Sequence, residues 1–253
     1  MNRPDATVVH ELLDASCVAA LALRGSERVL DVGCGYGELA AAIAVHSARV
    51  LGIDCDGRII ATARATHRAS NLEFRAGDAL ALPLRDDELG RFDLVHVRFV
   101  LESVRDQSAL LAQAMRAVRP GGRVVLADDD HPSLRLWPEV PCFDSVWGAY
   151  LAAFDAAGND SIAGRRLVAL LHEAGAVDLR ARVLSFAVAS GEPAFRAAIA
   201  RLRAILSEWR VPIFATRLVD AGELDSALTG LDAFAESPGA AIWYALCHAE
   251  GRR

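Results

Sequence analysis

Hydrophobic residues in this chain come in short unbroken runs, separated by longer stretches in which they recur every three or four positions. Val29–Val32, Arg49–Asp54, Leu72–Arg75, Phe92–Val97 and Arg123–Asp128 are runs of the first kind and read as buried strands. Between them, 38–46, 56–69 and 107–118 carry apolar positions at helical spacing. Strands alternating with helices predict a mostly parallel α/β sheet, doubly wound. Ahead of the first strand, 7–24 reads as an amphipathic helix, capped by Thr7 and apolar at Leu13, Cys17, Ala20 and Leu21. After the fifth strand the rhythm changes. Residues 133–160 form an aromatic-rich run, helical from Phe143 to Ala157 and broken at Gly158-Asn159-Asp160. A helix at 164–174 and a sixth strand, Val177–Val188, follow. Helices at 192–209 and 217–236 then flank a loop around Pro212, and Ala240–His248 is the last strand.

The stretch Val29-Leu30-Asp31-Val32-Gly33-Cys34-Gly35-Tyr36-Gly37-Glu38-Leu39-Ala40 organises the rest. It predicts a buried strand, a glycine turn and a helix start. Glycines there permit positive φ and let bare backbone approach a ligand. The helix that follows aims its N-terminal amides at the same point. Open α/β sheets bind ligands there, at the carboxyl ends of their strands. The spacing is GxGxG, and Glu38 stands where a dinucleotide fingerprint has its third glycine. A carboxylate there repels pyrophosphate. With Asp31 beside the turn, the cradle suits a ligand carrying a cationic amine. Asp54 ends the second strand about 20 residues past the first glycine, where an acid meets a ribose in βαβ nucleoside sites.

This stretch resembles the first motif of the class I S-adenosylmethionine-dependent methyltransferases, LDVGCGxGxLA. The resemblance implies a doubly wound, seven-stranded, mostly parallel sheet with an antiparallel last strand. It implies S-adenosyl-L-methionine as cofactor and S-adenosyl-L-homocysteine as product. Asp31, Gly33, Gly35 and Gly37 would hold the methionine end, Asp54 the ribose, and Gly77-Asp78-Ala79 the adenine. Cys34 and Cys55 would flank the same ligand. Arg98 leaves the fourth strand beside the cofactor, where it pairs either with the methionine carboxylate or with a structural acid. The helix ending in Arg119-Pro120-Gly121-Gly122 before the fifth strand is a further shared element, structural in role. The resemblance is specific over residues 28–130 and extends beyond them by element order.

The fifth strand runs into Asp128-Asp129-Asp130-His131-Pro132. Methyl transfer is an in-line displacement that asks mainly for alignment, and sometimes for a base at the accepting atom. His131, oriented by Asp130 or Asp128, is the candidate base; a solvated acidic turn is the plainer reading. No second ligand cluster accompanies these acids, so no metal is expected. Insertions at 131–163 and 190–238 are expected to form a helical lid, behind an N-terminal cap at 1–26 and a cofactor-binding core at 27–130, all in one domain. Trp137, Trp147, Tyr150 and Trp209, with Phe154, are the candidate acceptor-lining residues, and His10 and Glu11 of the cap are further candidates. An apolar lid suits a fairly hydrophobic small molecule. It also suits a homodimer interface, so monomer and homodimer both stand.

Composition narrows the partners. At 253 residues, about half of them hydrophobic, the chain can bury a sizeable core. A net charge of −6 and a pI near 5.6 argue against nucleic-acid or anionic-membrane partners. All the basic residues are arginine. No run is long enough to span a membrane, the N-terminus does not read as a signal peptide, and the five scattered cysteines form no zinc-type cluster. A cytoplasmic setting is expected. The reading is an S-adenosylmethionine-dependent methyltransferase of small molecules; the alternative is a member of the same fold that binds the cofactor and performs a cyclisation or rearrangement, or no transfer.

Overall fold

The computed structural model describes residues 7–253, with side chains from residue 13 onward. Its elements divide into two compact units. One holds Asp14–Asp129, Ala163–Leu184 and Leu246–Arg253; the other holds Asp130–Ile162 and Ser185–Ala245. Each has its own hydrophobic core.

The first is the sheet unit. Strands β1 (Arg28–Val32), β2 (Arg49–Asp54), β3 (Leu72–Ala76), β4 (Phe92–Arg98) and β5 (Val118–Asp129) run parallel in the order β3-β2-β1-β4-β5. The register stacks apolar partners across them: Leu30 pairs with Leu51 on one side and Val95 on the other, and Val95 with Val124. Helices α2 (Glu38–Ala44), α3 (Gly57–Thr66) and α4 (Gln107–Ala117) connect them. Asp56 and Asp106 cap α3 and α4 by accepting from Arg58 N–H and Ala109 N–H. The last strand, β8 (Ala241–Arg252), pairs antiparallel with β5 from Arg123↔Arg252 to Asp129↔Leu246. Strand β7 (Val177–Ala189) pairs with β8. Leu30, Val95, Leu110 and Val124, with Leu167 and Leu171 of helix α6 (Leu167–Glu173), form the core of this unit.

The second is a helical unit, built from β6 (Arg135–Trp137), α5 (Phe143–Ala156), α7 (Pro193–Glu208), α8 (Arg210–Ala215) and α9 (Ala221–Ala235). Phe143, Tyr150, Phe195, Leu206, Ile213, Leu231 and Phe234 are buried in its own core. Helix α9 opens with a reciprocal capping box, Asp220 accepting from Glu223 N–H and Glu223 accepting from Asp220 N–H.

The expected α/β class and antiparallel last strand are present, with four differences of detail. Among the described residues the sheet numbers eight strands, because β6 pairs antiparallel with the 241–245 end of β8, which belongs to the helical unit, through Arg135↔Trp243 and Trp137↔Ala241. Three residues are too few to show a period in sequence. The expected loop at Pro212 is helix α8, with the proline in its first turn, where its missing N–H costs nothing. Pro120-Gly121-Gly122 does not end at a turn before β5 but is a bulge within it: pairing with β4 jumps from Phe92↔Val118 to Leu94↔Arg123. The residues expected as lid insertions build the helical unit, with a core of its own. Among the described residues, no helix is long and apolar enough to cross a membrane.

Candidate functional site

The glycine turn at the end of β1 is held by its neighbour strand. Gly33 and Cys34 donate their N–H groups to the Ile53 carbonyl at 2.7 and 3.0 Å. Gly35 donates to Asp54 Oδ2 at 3.0 Å, and Asp56 donates to Asp54 Oδ1 at 3.0 Å. Gly77, which opens the loop after β3, donates to the Asp54 carbonyl at 2.9 Å. Three loops from three strand ends therefore converge on Asp54. Each carboxylate oxygen spends one lone pair on the protein and keeps another for a ligand hydroxyl.

Two glycines in the turn differ in what surrounds them. Gly33 has φ +74, and a Cβ there would lie 2.2 Å from Val100 Cγ2, so packing alone forbids a side chain. Gly35 has φ +55, and a Cβ there would meet nothing within 4 Å. The space above Gly35 is open, as a ligand-facing backbone requires. Gly37, at φ +90, starts α2 against the Phe74 ring.

The surroundings are acidic. Cys34 is buried, and burial pushes its thiol well above its ordinary range, with Asp31 and Asp54 adding to the shift. A thiol held that firmly protonated is no nucleophile. Cys55 is exposed beyond Asp54. Asp78 is exposed, its Oδ1 accepting the Leu80 N–H at 2.9 Å in a tight turn, and Ala79 beside it is half-buried. These acids and the absence of a basic side chain in the turn suit a cationic nucleoside and not a pyrophosphate.

Two sequence candidates have buried protein partners. Asp31 is 3% exposed, and its Oδ1 sits 2.8 Å from His96 Nδ1 on β4. It ties the end of β1 to β4. Arg98 has an acid partner: its guanidinium, nearly buried, lies 2.7 Å from Asp14 of α1 (Thr7–Ala20). Asp128 is structural. Fully buried, it accepts from Val100, Leu101 and Asp129 N–H groups and so pins the loop after β4. Burial pushes its carboxyl well up, and Glu102 and Asp129 add to this. His10 and Glu11 lie outside the described side chains.

In the helical unit, His131 opens a single 3-10 turn, His131–Ser133. Its N–H donates to the Ser161 carbonyl at 3.1 Å, and its carbonyl accepts the Trp147 indole N–H at 3.1 Å. Ser161 is in turn held by Asp155, which accepts from its N–H and its hydroxyl. The imidazole meets Phe154 edge-on at 5.4 Å and Trp147 at 6.3 Å between ring centres. Tyr150 stands 4.8 Å from Trp147 and 5.4 Å from Trp209, which also meets Phe154 at 5.7 Å. Of the four candidate acceptor residues, Trp147, Tyr150 and Trp209 are thus gathered with His131 into one aromatic cluster. Trp137 is not: it stands 62% exposed on β6. Asp130 caps the His131 turn through its backbone, and its carbonyl accepts from Ser133 N–H.

Sequence reasoning missed His96, Asp14 and the Asp155–Ser161 pair. Only His96 carried a signal, a lone imidazole in the apolar run Phe92–Val97.

Residues 30–126 match the family model described as a methyltransferase domain. A demethylmenaquinone methyltransferase from Beutenbergia cavernae is 38% identical over 135 residues, 53% of this chain and 52% of that protein. An O-methyltransferase, cnsE, from Penicillium expansum is 34% identical over 134 residues, 50% of this chain and 48% of that protein. The chain spans about half the length of the curated relatives it matches. In fold, the YcgJ protein of Bacillus subtilis superimposes with a TM-score of 0.62 at 17% identity, over 96% of this chain and 99% of that one. A phosphoethanolamine N-methyltransferase from Haemonchus contortus, solved with S-adenosyl-L-methionine, gives 0.58 at 15% identity over 99% of this chain and 58% of that one.

Proposed function

We propose, from the match of residues 30–126 to a methyltransferase-domain family model, that the protein is a class I methyltransferase that transfers the methyl group of S-adenosyl-L-methionine to a small, fairly hydrophobic acceptor. One observation carries the reading: the Gly35 N–H, the Asp56 N–H and the Gly77 loop all converge on Asp54. Such an arrangement fits a ribose diol on the carboxylate, with the methionine end over Gly35 and adenine at Asp78 and Ala79. The acidic surroundings of Cys34 favour the sulfonium nucleoside over a nicotinamide dinucleotide. The bound cofactor supplies the methyl group and a good leaving group. The chain supplies the cradle, and His131 is the candidate for taking the acceptor's proton.

The aromatic cluster of Trp147, Tyr150, Phe154 and Trp209 supports a planar, apolar acceptor. A quinol or phenol has that shape and an ionisable O–H. The setting proposed is the cytoplasm; the five cysteines are thiols in the structure.

Titration calorimetry with S-adenosyl-L-methionine tests the cradle. The native chain binds it, and Asp54→Ala weakens binding at least tenfold while the thermal melt stays cooperative. Equal affinity in the two proteins overturns the assignment. Formation of S-adenosyl-L-homocysteine with an aromatic hydroxyl acceptor tests transfer itself; tight cofactor binding with no such product on any acceptor favours a non-transferring member of the fold.

A further inference from the structure

We infer that Tyr244 is a positioning residue for His131, holding its imidazole in the one orientation that serves the acceptor. The inference rests on the reading that His131 acts on the acceptor's proton. It adds to that reading a residue from the far end of the chain.

The case starts with the backbone. Within the helical unit, the 241–245 end of β8 and the His131–Ser133 turn are stitched together at adjacent positions. Ala245 donates its N–H to Ser133 Oγ at 3.2 Å, and the same hydroxyl donates to the Ala245 carbonyl at 3.2 Å. One residue earlier on β8, the Tyr244 hydroxyl lies 3.5 Å from His131 Nδ1. The register that joins Ser133 to Ala245 therefore delivers Tyr244 to His131. Below, Tyr244 packs its ring on Phe186 at 5.8 Å and is 8% exposed.

A buried tyrosine hydroxyl needs a polar partner, and a position that asked only for packing would be served by phenylalanine. The imidazole has two ring contacts of its own, Phe154 and Trp147, both edge-on. Those contacts bear on the plane of the ring and not on which nitrogen points which way. A hydroxyl beside Nδ1 bears on that choice directly. The separation of 3.5 Å is at the long end of a hydrogen bond, as catalytic contacts often are before substrate binds.

Tyr244→Phe tests this, since it keeps the ring and its packing on Phe186. In protein carrying ¹⁵N-labelled histidine, the His131 ring resonances shift in Tyr244→Phe, whatever His131 does in turnover. With an acceptor in hand, kcat falls on the order of tenfold while the acceptor KM and the cofactor affinity change less than twofold. In a His131→Ala background, Tyr244→Phe costs nothing further. Unshifted His131 resonances overturn the inference, and so does an equal loss of kcat in both backgrounds, which marks a merely structural residue. If His131→Ala itself leaves kcat unchanged, the proton-transfer reading fails, and the resonance shift still decides whether Tyr244 orients the ring. Should Tyr244→Phe melt early, Phe186→Leu serves as control: it loosens the same packing without touching the hydroxyl, and kcat holds.

Discussion

His96 Nδ1 lies 2.8 Å from Asp31 Oδ1, and neither side chain is more than 4% exposed. The pair ties β1 to β4 at positions that the sheet register places opposite one another. A buried carboxylate is tolerated because the imidazole faces it. His96→Leu fills the same space and removes the partner. Stability should fall by about 1–3 kcal/mol, the cost of leaving a buried polar group without its hydrogen-bond partner. Urea unfolding measures it. A loss under about 1 kcal/mol would mean that Asp31 finds its partner elsewhere.

Gly33 and Gly35 separate packing from ligand space. Gly33→Ala drives a methyl into Val100 at a left-handed φ and should cost stability, about 1–3 kcal/mol. Adding Val100→Ala removes the obstruction and should restore part of that loss. Gly35→Ala meets no protein atom and pays only the backbone strain, about 1–2 kcal/mol. Its methyl points where the cofactor would lie, so cofactor affinity should fall by far more than the melting temperature suggests. If Gly35→Ala binds S-adenosyl-L-methionine normally, the open space above the turn is not the cofactor's.

His248 gives the fold an acid limit. It is 2% exposed on β8, and burial lowers its pKa to about 4, with Arg182 and His96 pushing the same way and Glu250 opposing. The unfolded chain takes up the proton near the ordinary value of 6.5, and the folded chain does so only near 4. Stability from this group is therefore complete above pH 6.5 and is lost as pH falls through the window down to 4, by about 1.4 kcal/mol per pH unit inside it. Glu88 acts lower down. Its carboxyl is held at about 2, chiefly by the Arg75 guanidinium, so its contribution is present above 4.5 and lost on the way down to 2. Denaturant melts at intervals from pH 7.5 to pH 3 should show two successive declines; His248→Phe should flatten the first and leave the second. An unchanged first slope would exclude His248 as its source.

What the chain disclosed before its structure follows a physical division. The strand ends and the glycine turn were legible because backbone chemistry demands particular residues there: glycine at positive φ, an acid at the end of β2. The three loops that meet at Asp54 are each local in sequence, and only their meeting is not. Pairs between distant positions were opaque. Nothing in the sequence sets Asp14 against Arg98, 84 residues on, or joins Tyr244 to His131, 113 residues apart. Each depends on sheet order and register. The aromatic run at 133–160 showed its composition but not its sorting. Alternation along a three-residue strand cannot announce that Trp137 faces outward, while Trp147 and Tyr150, on α5, are held by helical spacing to the buried face.

That sorting can be read by fluorescence. The chain has four tryptophans, of which Trp147 and Trp209 belong to the aromatic cluster, while Trp137 and Trp243 stand 62% and 44% exposed on β6 and β8. A ring pair contributes about 0.5–1.5 kcal/mol beyond its buried area, so losing the indole at Trp209 should weaken an aromatic acceptor by roughly two- to tenfold. Trp209→Phe should raise the acceptor KM by that factor and shrink the emission change on acceptor binding. Trp137→Phe should leave both as they were, with its own emission red-shifted and open to iodide quenching in the parent. Two conservative changes to the same residue type then answer opposite ways, because one indole lies within a cluster of rings and the other faces solvent. If Trp137→Phe raised the acceptor KM and Trp209→Phe did not, the acceptor would be recognised on the exposed β6 face, and the cluster around His131 would be packing alone.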